Sequence, residues 1–434
     1  MLLKWNVGIT RRCQQLVTMT GLLLLTMNSA AVSQSGASKA GLTLTEAERI
    51  ALAVDEGVKQ FSAQSRMIEQ ESIAAASWMD PKLSIGTMNL PGNDLDPLNQ
   101  GMVEFKVEQM LPRGSSNDIQ KRQLTLKKEA MDAAATNRKL SVQRDVRLAW
   151  LDAWYWQQAL VELKAERNLY ESLVTVTASM YSQGKKSQQD VYNAKVTLSR
   201  LDDQTLSFSS SHGQSLAVLG RWLGETMVTR VGSDLSALPG VQHQPAVKAS
   251  FDHPLIQVAE RAIAQAEQGV ALAREQFKPQ FGIEFAYGRE QGDMAMMGGD
   301  DNRNKYSLMV MMDLPLFTAD RQDRQLLASQ YRKEAALAMR QDLLRQLTGQ
   351  LNAEFARYRG LSQRIDHYSN SLLPDVESQA QAALNAYQSD AQDFNSVIQS
   401  YRTLLDTRLA FKRLQADIRQ SLARIDYLMP GSNY

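Results

Sequence analysis

Two stretches of this chain, roughly two hundred residues apart, carry the same design. Met102–Arg113 (MVEFKVEQMLPR) and Tyr306–Phe317 (YSLMVMMDLPLF) each alternate apolar and polar residues and then run into a long, polar, helix-forming tract. Pro112 and Pro315 close the two runs at equivalent points. The spacing is kept along the chain: Pro81 to Pro279 is 198 residues, Pro112 to Pro315 is 203, and both Gly184 to Asp390 and Leu198 to Leu404 are 206. Self-similarity held in frame over such a length marks a duplicated unit. Each unit reads as a helix, an amphipathic strand pair and a very long helical hairpin.

The first repeat is expected over 34–223, with a strand pair at 82–111 and a hairpin at 115–223. Thr45 and Glu48 have capping-box spacing at the start of its first helix, which runs to Trp78 before Asp80-Pro81. Lys82–Asn89 is the first strand. In Met102–Leu111, Val103, Phe105 and Val107 alternate with Glu104, Lys106 and Glu108, so one face is apolar and the other charged. Ser115, Ser116 or Asn117 can cap the tract that follows, which holds no proline as far as Gln183. Its ~65 residues at 1.5 Å each span roughly 100 Å as a helix. Its recurrent apolar seam is that of a coiled coil. Gly184 suits a left-handed helix end, and Ser187 can cap the returning helix. Residues 224–252, rich in Gly and Pro, are a connector that packs as an irregular belt.

The second repeat is expected over 253–434, with a strand pair at 281–314 and a hairpin at 319–429. Arg289–Lys305 is predicted as a loop, and Pro374 is predicted to kink the long helix. Asp390 and Asp393 stand where Gly184 and Ser187 stand in the first unit.

The start of the chain reads as a secretory signal over 1–33. Lys4, Arg11 and Arg12 precede the apolar Leu16–Met27, and Ala31-Val32-Ser33 is a small-residue cleavage site. The only cysteine, Cys13, lies inside it, so disulfides, thiolate metal sites and cysteine nucleophiles are excluded from the mature chain. No run of about 18 apolar residues occurs after Ser33, which excludes a spanning helix there. A net charge of +1 gives no case for a nucleic-acid partner.

Strands of this length with one apolar face suit an outer-membrane wall. Four strands cannot close, and an open edge in lipid leaves backbone groups unpaired at several kcal/mol each. Oligomerisation must complete the wall, and three copies supply twelve strands. The expected fold is therefore mainly α with a β-barrel part. Four strands per protomer complete a 12-stranded trimeric transmembrane barrel, continued by a long α-helical coiled-coil barrel.

Export, duplicated strand pairs and duplicated hairpins together resemble the TolC family of trimeric outer-membrane efflux ducts. The carrying residues are LTLTEAERIAL (Leu42–Leu52), EQMLPRG (Glu108–Gly114), DLPLF (Asp313–Phe317), and the tips YSQGKKSQQDVYNAK (Tyr181–Lys195) and YQSDAQDFNSVIQSYRTLL (Tyr387–Leu405). MDPKLSIGTMNLPGNDLDPLNQ (Met79–Gln100) resembles the heavy-metal branch, similar to CzcC or CusC. The resemblance implies a homotrimer in the outer membrane with its helical part in the periplasm. It also implies a periplasmic adaptor, an inner-membrane resistance-nodulation-division (RND) pump, and passive conduction. Two departures stand out. Asp390 replaces the family's usual tip glycine, and no lipid-bearing cysteine follows the signal.

Within that frame, Glu104, Lys106, Glu108, Glu284 and Asp313 are expected to face the pore. Asp390 and Asp393 would form carboxylate rings at the periplasmic aperture, alongside helix capping. Gly184, Lys185, Lys186 and Ser187 are candidates for adaptor docking, with a solvated turn as the plain alternative. Met294, Met296, Met297, Met309, Met311 and Met312 are thioethers of the kind that suits Cu(I) or Ag(I), but methionine is also a space filler. No metal site or cofactor is expected. His212, His243, His253 and His367 are scattered, and Trp150, Trp154, Tyr155 and Trp156 read as helix packing. No nucleophile elbow, phosphate loop or HExxH occurs, so no enzyme is expected. A duct for metal cations leads, ahead of a duct for drugs or secreted proteins. A soluble periplasmic coiled-coil adaptor or scaffold is the alternative of another class.

Overall fold

The computed structural model describes residues 41–88, 90, 101–224, 228–235, 252–291, 302–389 and 391–431. The signal at 1–33, Cys13, His243, Met294, Met296, Met297 and Asp390 lie outside them, as does most of the connector at 224–252. The element order is helices α1 (Leu44–Val54) and α2 (Glu56–Ala76), strands β1 (Lys82–Met88) and β2 (Gly101–Met110), then helices α3 (Ser116–Ser182) and α4 (Gln188–Leu223). The plan then recurs as helix α5 (Pro254–Glu275), strands β3 (Gln280–Gln291) and β4 (Asn302–Asp313), helices α6 (Gln322–His367) and α7 (Leu373–Gln388) joined by a π turn, and helix α8 (Phe394–Leu428).

Helix α3 is the spine, and α2, α4, α5 and α8 all pack against it. Its 67 residues extend about 100 Å at 1.5 Å per residue. Three apolar clusters lie along the bundle. One gathers Val142, Val146, Trp150 and Trp154 of α3 with Leu44 and Ala47 of α1 and Leu219 and Leu223 of α4. A second joins Leu163, Tyr170 and Leu173 to Val376, Tyr387, Phe394 and Leu404. The third joins Ile256 to Leu347, Leu351, Phe355 and Ile425. Among the described residues, no helix is long and apolar enough to cross a membrane.

The tryptophans do pack helices, and they also clamp backbone. Trp150 Nε1 donates to the Leu42 carbonyl at 2.8 Å, and Trp154 Nε1 donates to that of Ser233 at 3.2 Å. Gln157 grips Val231 on both sides, donating to its carbonyl at 2.9 Å and accepting from its amide at 3.1 Å. Leu42 and Val231 are themselves bridged in parallel. The described part of the connector is thus tied to the α3 face that also receives the residues before α1.

Several local expectations change. The cap of α1 is Thr43, which accepts from the Glu46 amide at 3.3 Å, because Glu48 is drawn instead to Arg147 at 2.6 Å. The first helix breaks at Asp55, which ends α1 and caps α2 by accepting from the Val58 amide at 2.8 Å. Arg138 of α3 pins the same carboxylate at 2.8 Å. Burial opposes that charge, but the Arg138 and Val58 bonds outweigh it and hold the Asp55 carboxyl below the usual range. Neither Ser115 nor Asn117 caps α3 by its side chain. Asn117 donates to the Ser77 carbonyl at 2.8 Å, and the Ser115 amide finds the Glu275 carboxylate of α5 at 2.9 Å. Around Pro374 the helix widens into a π turn at Tyr368–Leu372, which absorbs the missing amide of the ring. Finally, β3 and β4 extend into the expected loop. Arg289 pairs with Asn304, Glu290 with Arg303 and Gln291 with Asn302.

The second repeat is anchored at His253, whose side chain is fully buried. Its Nδ1 accepts from the Leu255 amide at 3.2 Å, capping α5, and its Nε2 lies 3.1 Å from the Tyr427 carbonyl. Burial pushes the imidazole pKa down, partly countered by the Tyr427 bond. A His held neutral in the fold contributes stability that is present above its unfolded value of about 6.5 and lost as pH falls through the lower folded value. Acidification from about pH 7.5 to about pH 5 is therefore expected to remove this contribution from the thermal midpoint. His253→Asn, which keeps a capping side chain, is expected to flatten that slope. A midpoint with the same acid slope in both proteins would refute the assignment.

Candidate functional site

The four strands form one antiparallel sheet in the order β1-β2-β3-β4. Leu83 and Ile85 sit opposite Val107 and Phe105. Val107 and Phe105 in turn sit opposite Phe285 and Tyr287, which face Leu308 and Tyr306. One continuous apolar face results, and it is open. Phe281 is 41% exposed and Leu308 72%, while Tyr287 is half-buried. Three of the four strand lengths fit a membrane wall, and β1, described over 7 residues, is shorter. β2 has 10 residues, β3 and β4 have 12 each, and a tilted spanning strand needs about 9–11. Tyr287 and Tyr306 stack across β3 and β4 at 5.3 Å between ring centres, and the Tyr287 hydroxyl donates to Asn304. These two rings occupy the apolar face near the far end of the sheet.

The opposite face is charged and crowded. The ladder puts Lys82, Glu108, Glu284 and Met309 in one row, with Ser84, Lys106, Ala286 and Ser307 in the next. Glu104 and Asp313 share this face by strand alternation. All five residues expected to face the pore therefore lie together, opposite the apolar side. Lys106 bridges two of them, at 3.1 Å from Glu104 and 3.8 Å from Glu284. Arg113 holds Asp313 at 2.6 Å.

Side chains crowd this face closely. Ala286 is 2% exposed although no other layer covers it. A β-carbon added at Gly282 would come within 2.6 Å of the Met110 sulfur, and one at Gly288 within 2.6 Å of the Met102 sulfur. Glycine at these positions lets neighbouring side chains fold over the strand and lets the sheet curve inward. Of the methionines singled out earlier, Met309 and Met311 lie on the charged face and Met312 on the apolar face. Among the described residues, no group of three or more His, Cys, Asp or Glu is placed to hold a metal ion.

At the other end of the helices the two hairpin tips meet. Gly184 turns the first with φ +69, a left-handed conformation that suits glycine. The Lys185 amide donates back to the Met180 carbonyl at 3.0 Å. Ser187 caps α4 by accepting from the Asp190 amide at 3.3 Å. Asp393 caps α8 in the equivalent way, accepting from the Ser396 amide at 3.0 Å and the Ser396 hydroxyl at 2.7 Å. Those bonds hold the Asp393 carboxyl below its ordinary value. Capping is thus its visible role. The tips also touch. The Lys186 ammonium sits 4.6 Å from the centre of the Tyr387 ring, and Asn193 donates to Asn395 at 3.3 Å. Tyr387 is buried whereas its repeat equivalent, Tyr181, is exposed. The sequence marked Lys186 as a docking candidate but held no signal for its stacking on Tyr387, because the partner is about two hundred residues away.

Residues 247–430 match the family model described as outer membrane efflux protein. That match lies over the second repeat and spans less than half of the chain. The whole fold agrees. The chain is similar to the solved structure of CusC, at 14% identity and a TM-score of 0.78, covering 90% of this chain and 92% of that one. The outer membrane channel CmeC of Campylobacter jejuni matches at 13% identity and TM-score 0.74, covering 89% and 85%. The MtrE outer membrane channel of Neisseria gonorrhoeae matches at 15% and 0.71, covering 89% and 88%. No curated protein matches by sequence. The chain accordingly has the fold of TolC-family efflux channels.

Lys106 is the cation between two carboxylates on the charged face. Lys106→Gln is expected to shift the reversal potential of the protein in planar bilayers, under a salt gradient, towards cation selectivity. An unchanged reversal potential would mean that this face does not line the conducting path.

Proposed function

We propose that three copies of this chain close a 12-stranded barrel and act as the outer-membrane exit duct of a tripartite efflux system. The duct conducts substrate passively from an inner-membrane RND pump and a periplasmic adaptor to the exterior. The observation that carries this reading is the sheet itself, which is apolar and open on one face, charged and crowded on the other, and, among the described residues, unpaired at the outer edges of β1 and β4. Lipid can cover the apolar face but cannot hydrogen-bond a strand edge. Only further copies supply strands of the right length and alternation, and the charged face then lines the lumen through Glu104, Lys106, Glu108, Glu284 and Asp313.

Topology says which residues would meet at the seam. The strands alternate in direction, so β4 of one copy lies antiparallel to β1 of the next. The end of β4 then adjoins the start of the neighbour's β1. Both ends carry exposed apolar residues: Leu314, Leu316 and Phe317 after β4, and Trp78 and Met79 before β1. Phe317, at 86% exposure, has no cover within one chain.

Metal cations are the proposed cargo, on the resemblance of Met79–Gln100 to the heavy-metal branch. Drugs or secreted proteins are the runner-up. Asp393, with Asp390 beside it in sequence, is proposed to ring the periplasmic aperture while it caps α8. Gly184, Lys185, Lys186 and Ser187 are proposed as the adaptor contact, because the tips lie farthest from the sheet.

Two experiments test the proposal. Met79→Cys combined with Leu316→Cys is expected to give covalent trimers from outer membranes on non-reducing gels, while either single variant stays monomeric. Monomers alone would remove the seam and with it the closed barrel. Separately, a deletion strain is expected to become sensitive to heavy-metal ions. Sensitivity confined to dyes and detergents would transfer the duct to the runner-up cargo.

A further inference from the structure

Midway along the bundle, α3 carries a carboxyl that nothing receives. Glu166 is 5% exposed, and its Oε1 meets no hydrogen-bond donor. It lies a turn from Leu163 and Tyr170, inside the apolar cluster that also holds Leu201 of α4, Val376 and Ala380 of α7, and Leu404, Leu405 and Leu409 of α8. Glu166 therefore stands where both hairpins pack together.

The charged and titratable groups around it are few. Arg408 and Tyr401 face it from α8, and Glu162 and Tyr170 from its own helix. Glu162 is 3.6 Å from Lys412 of α8. The nearby α4 carboxylate, Asp202, is occupied by Arg167 at 2.7 Å towards solvent. From α7, Glu377 reaches the site through Arg408, which it holds at 2.7 Å. Burial pushes the Glu166 carboxyl up to about 7, Arg408 pulls it down, and Glu162 adds to the rise.

We propose that Glu166 is a proton-operated latch between the two hairpins, with Arg408 as the moving part. When Glu166 is neutral, Arg408 stays on Glu377 and ties α8 to α7 within the second hairpin. When Glu166 gives its proton to water, its carboxylate is left buried without a donor, a state that demands a partner. The Arg408–Glu377 pair is half exposed and contributes little, so it yields readily. Arg408 then swings to Glu166 and ties α8 to α3, across the hairpins. The bundle thus has two ion-pair arrangements, and the proton selects between them.

The test uses the full-length protein in detergent or lipid discs. The protonated-carboxyl infrared band of Glu166, identified by its loss in Glu166→Gln, is expected to titrate near neutral pH. Glu377→Gln releases Arg408 and is expected to move that titration downward. Arg408→Gln is expected to move it upward. The sign in stability follows from linkage. A carboxyl at about 4.3 in the unfolded chain and higher in the fold binds its proton more tightly in the fold, so stability falls as pH rises through that interval. Between about pH 5 and about pH 8 the thermal midpoint of the wild type is therefore expected to fall relative to that of Glu166→Gln. A band titrating at an ordinary carboxyl value, or one that ignores Glu377→Gln, would overturn the latch. If Glu166→Gln fails to fold, Glu166→Asp assigns the band by its change in position, and the exposed Glu377 can still be varied.

Discussion

A sheet with an apolar outer face and two unpaired edges is stable only in a setting that satisfies both. Lipid satisfies the face and leaves the edges; water satisfies the edges and leaves the face. This conflict governs the rest of the molecule. It explains why the charged residues of the four strands lie on one side, with Arg289 near the far end as an exception, and why Gly282 and Gly288 stand where side chains crowd that face. It also explains why apolar residues remain bare at the two ends that neighbouring copies would bring together.

The helical part meets a different demand, which is to hold two repeats in register over a long distance. α3 does this by serving as a common surface. It receives α1 and α2 along one stretch, α5 near the sheet, and α4 and α8 along the rest. Its partly buried Arg147 binds Glu48 of α1 and Asp426 of α8 at once, joining the two repeats at a single point. Such a pair contributes less to net stability than to specificity of packing, because its desolvation offsets much of its attraction. The tryptophan and glutamine bonds to Leu42, Val231 and Ser233 fix the irregular segments against the same helix.

Little in the wall selects a substrate. The charged face mixes Glu104 and Glu284 with Lys106 between them, and thioethers occur on both faces. The proposed duct would leave selection to whatever fills it. What the helices add is adjustability. The tips contact each other through Lys186 and Tyr387 and through Asn193 and Asn395. Above them Glu166 places one titratable group where the hairpins join.

The sequence by itself determined the duplication, the strand pairs with their apolar and charged faces, the long helices, and the caps at Ser187 and Asp393. These follow from periodicity and from local hydrogen bonding, which neighbours in the chain dictate. It did not determine the break at Asp55, the cap of α3 by Glu275, or the pairing of Arg289–Gln291 with Asn302–Asn304. Arg138 and Glu275 reach their partners from distant segments, and the glycine-rich composition near the turn masks a ladder that only strand pairing reveals. Tertiary structure alone decided which partner each charge would take. An ion pair depends on distance in space, and a carboxylate such as Glu166 looks like any other until packing removes its water.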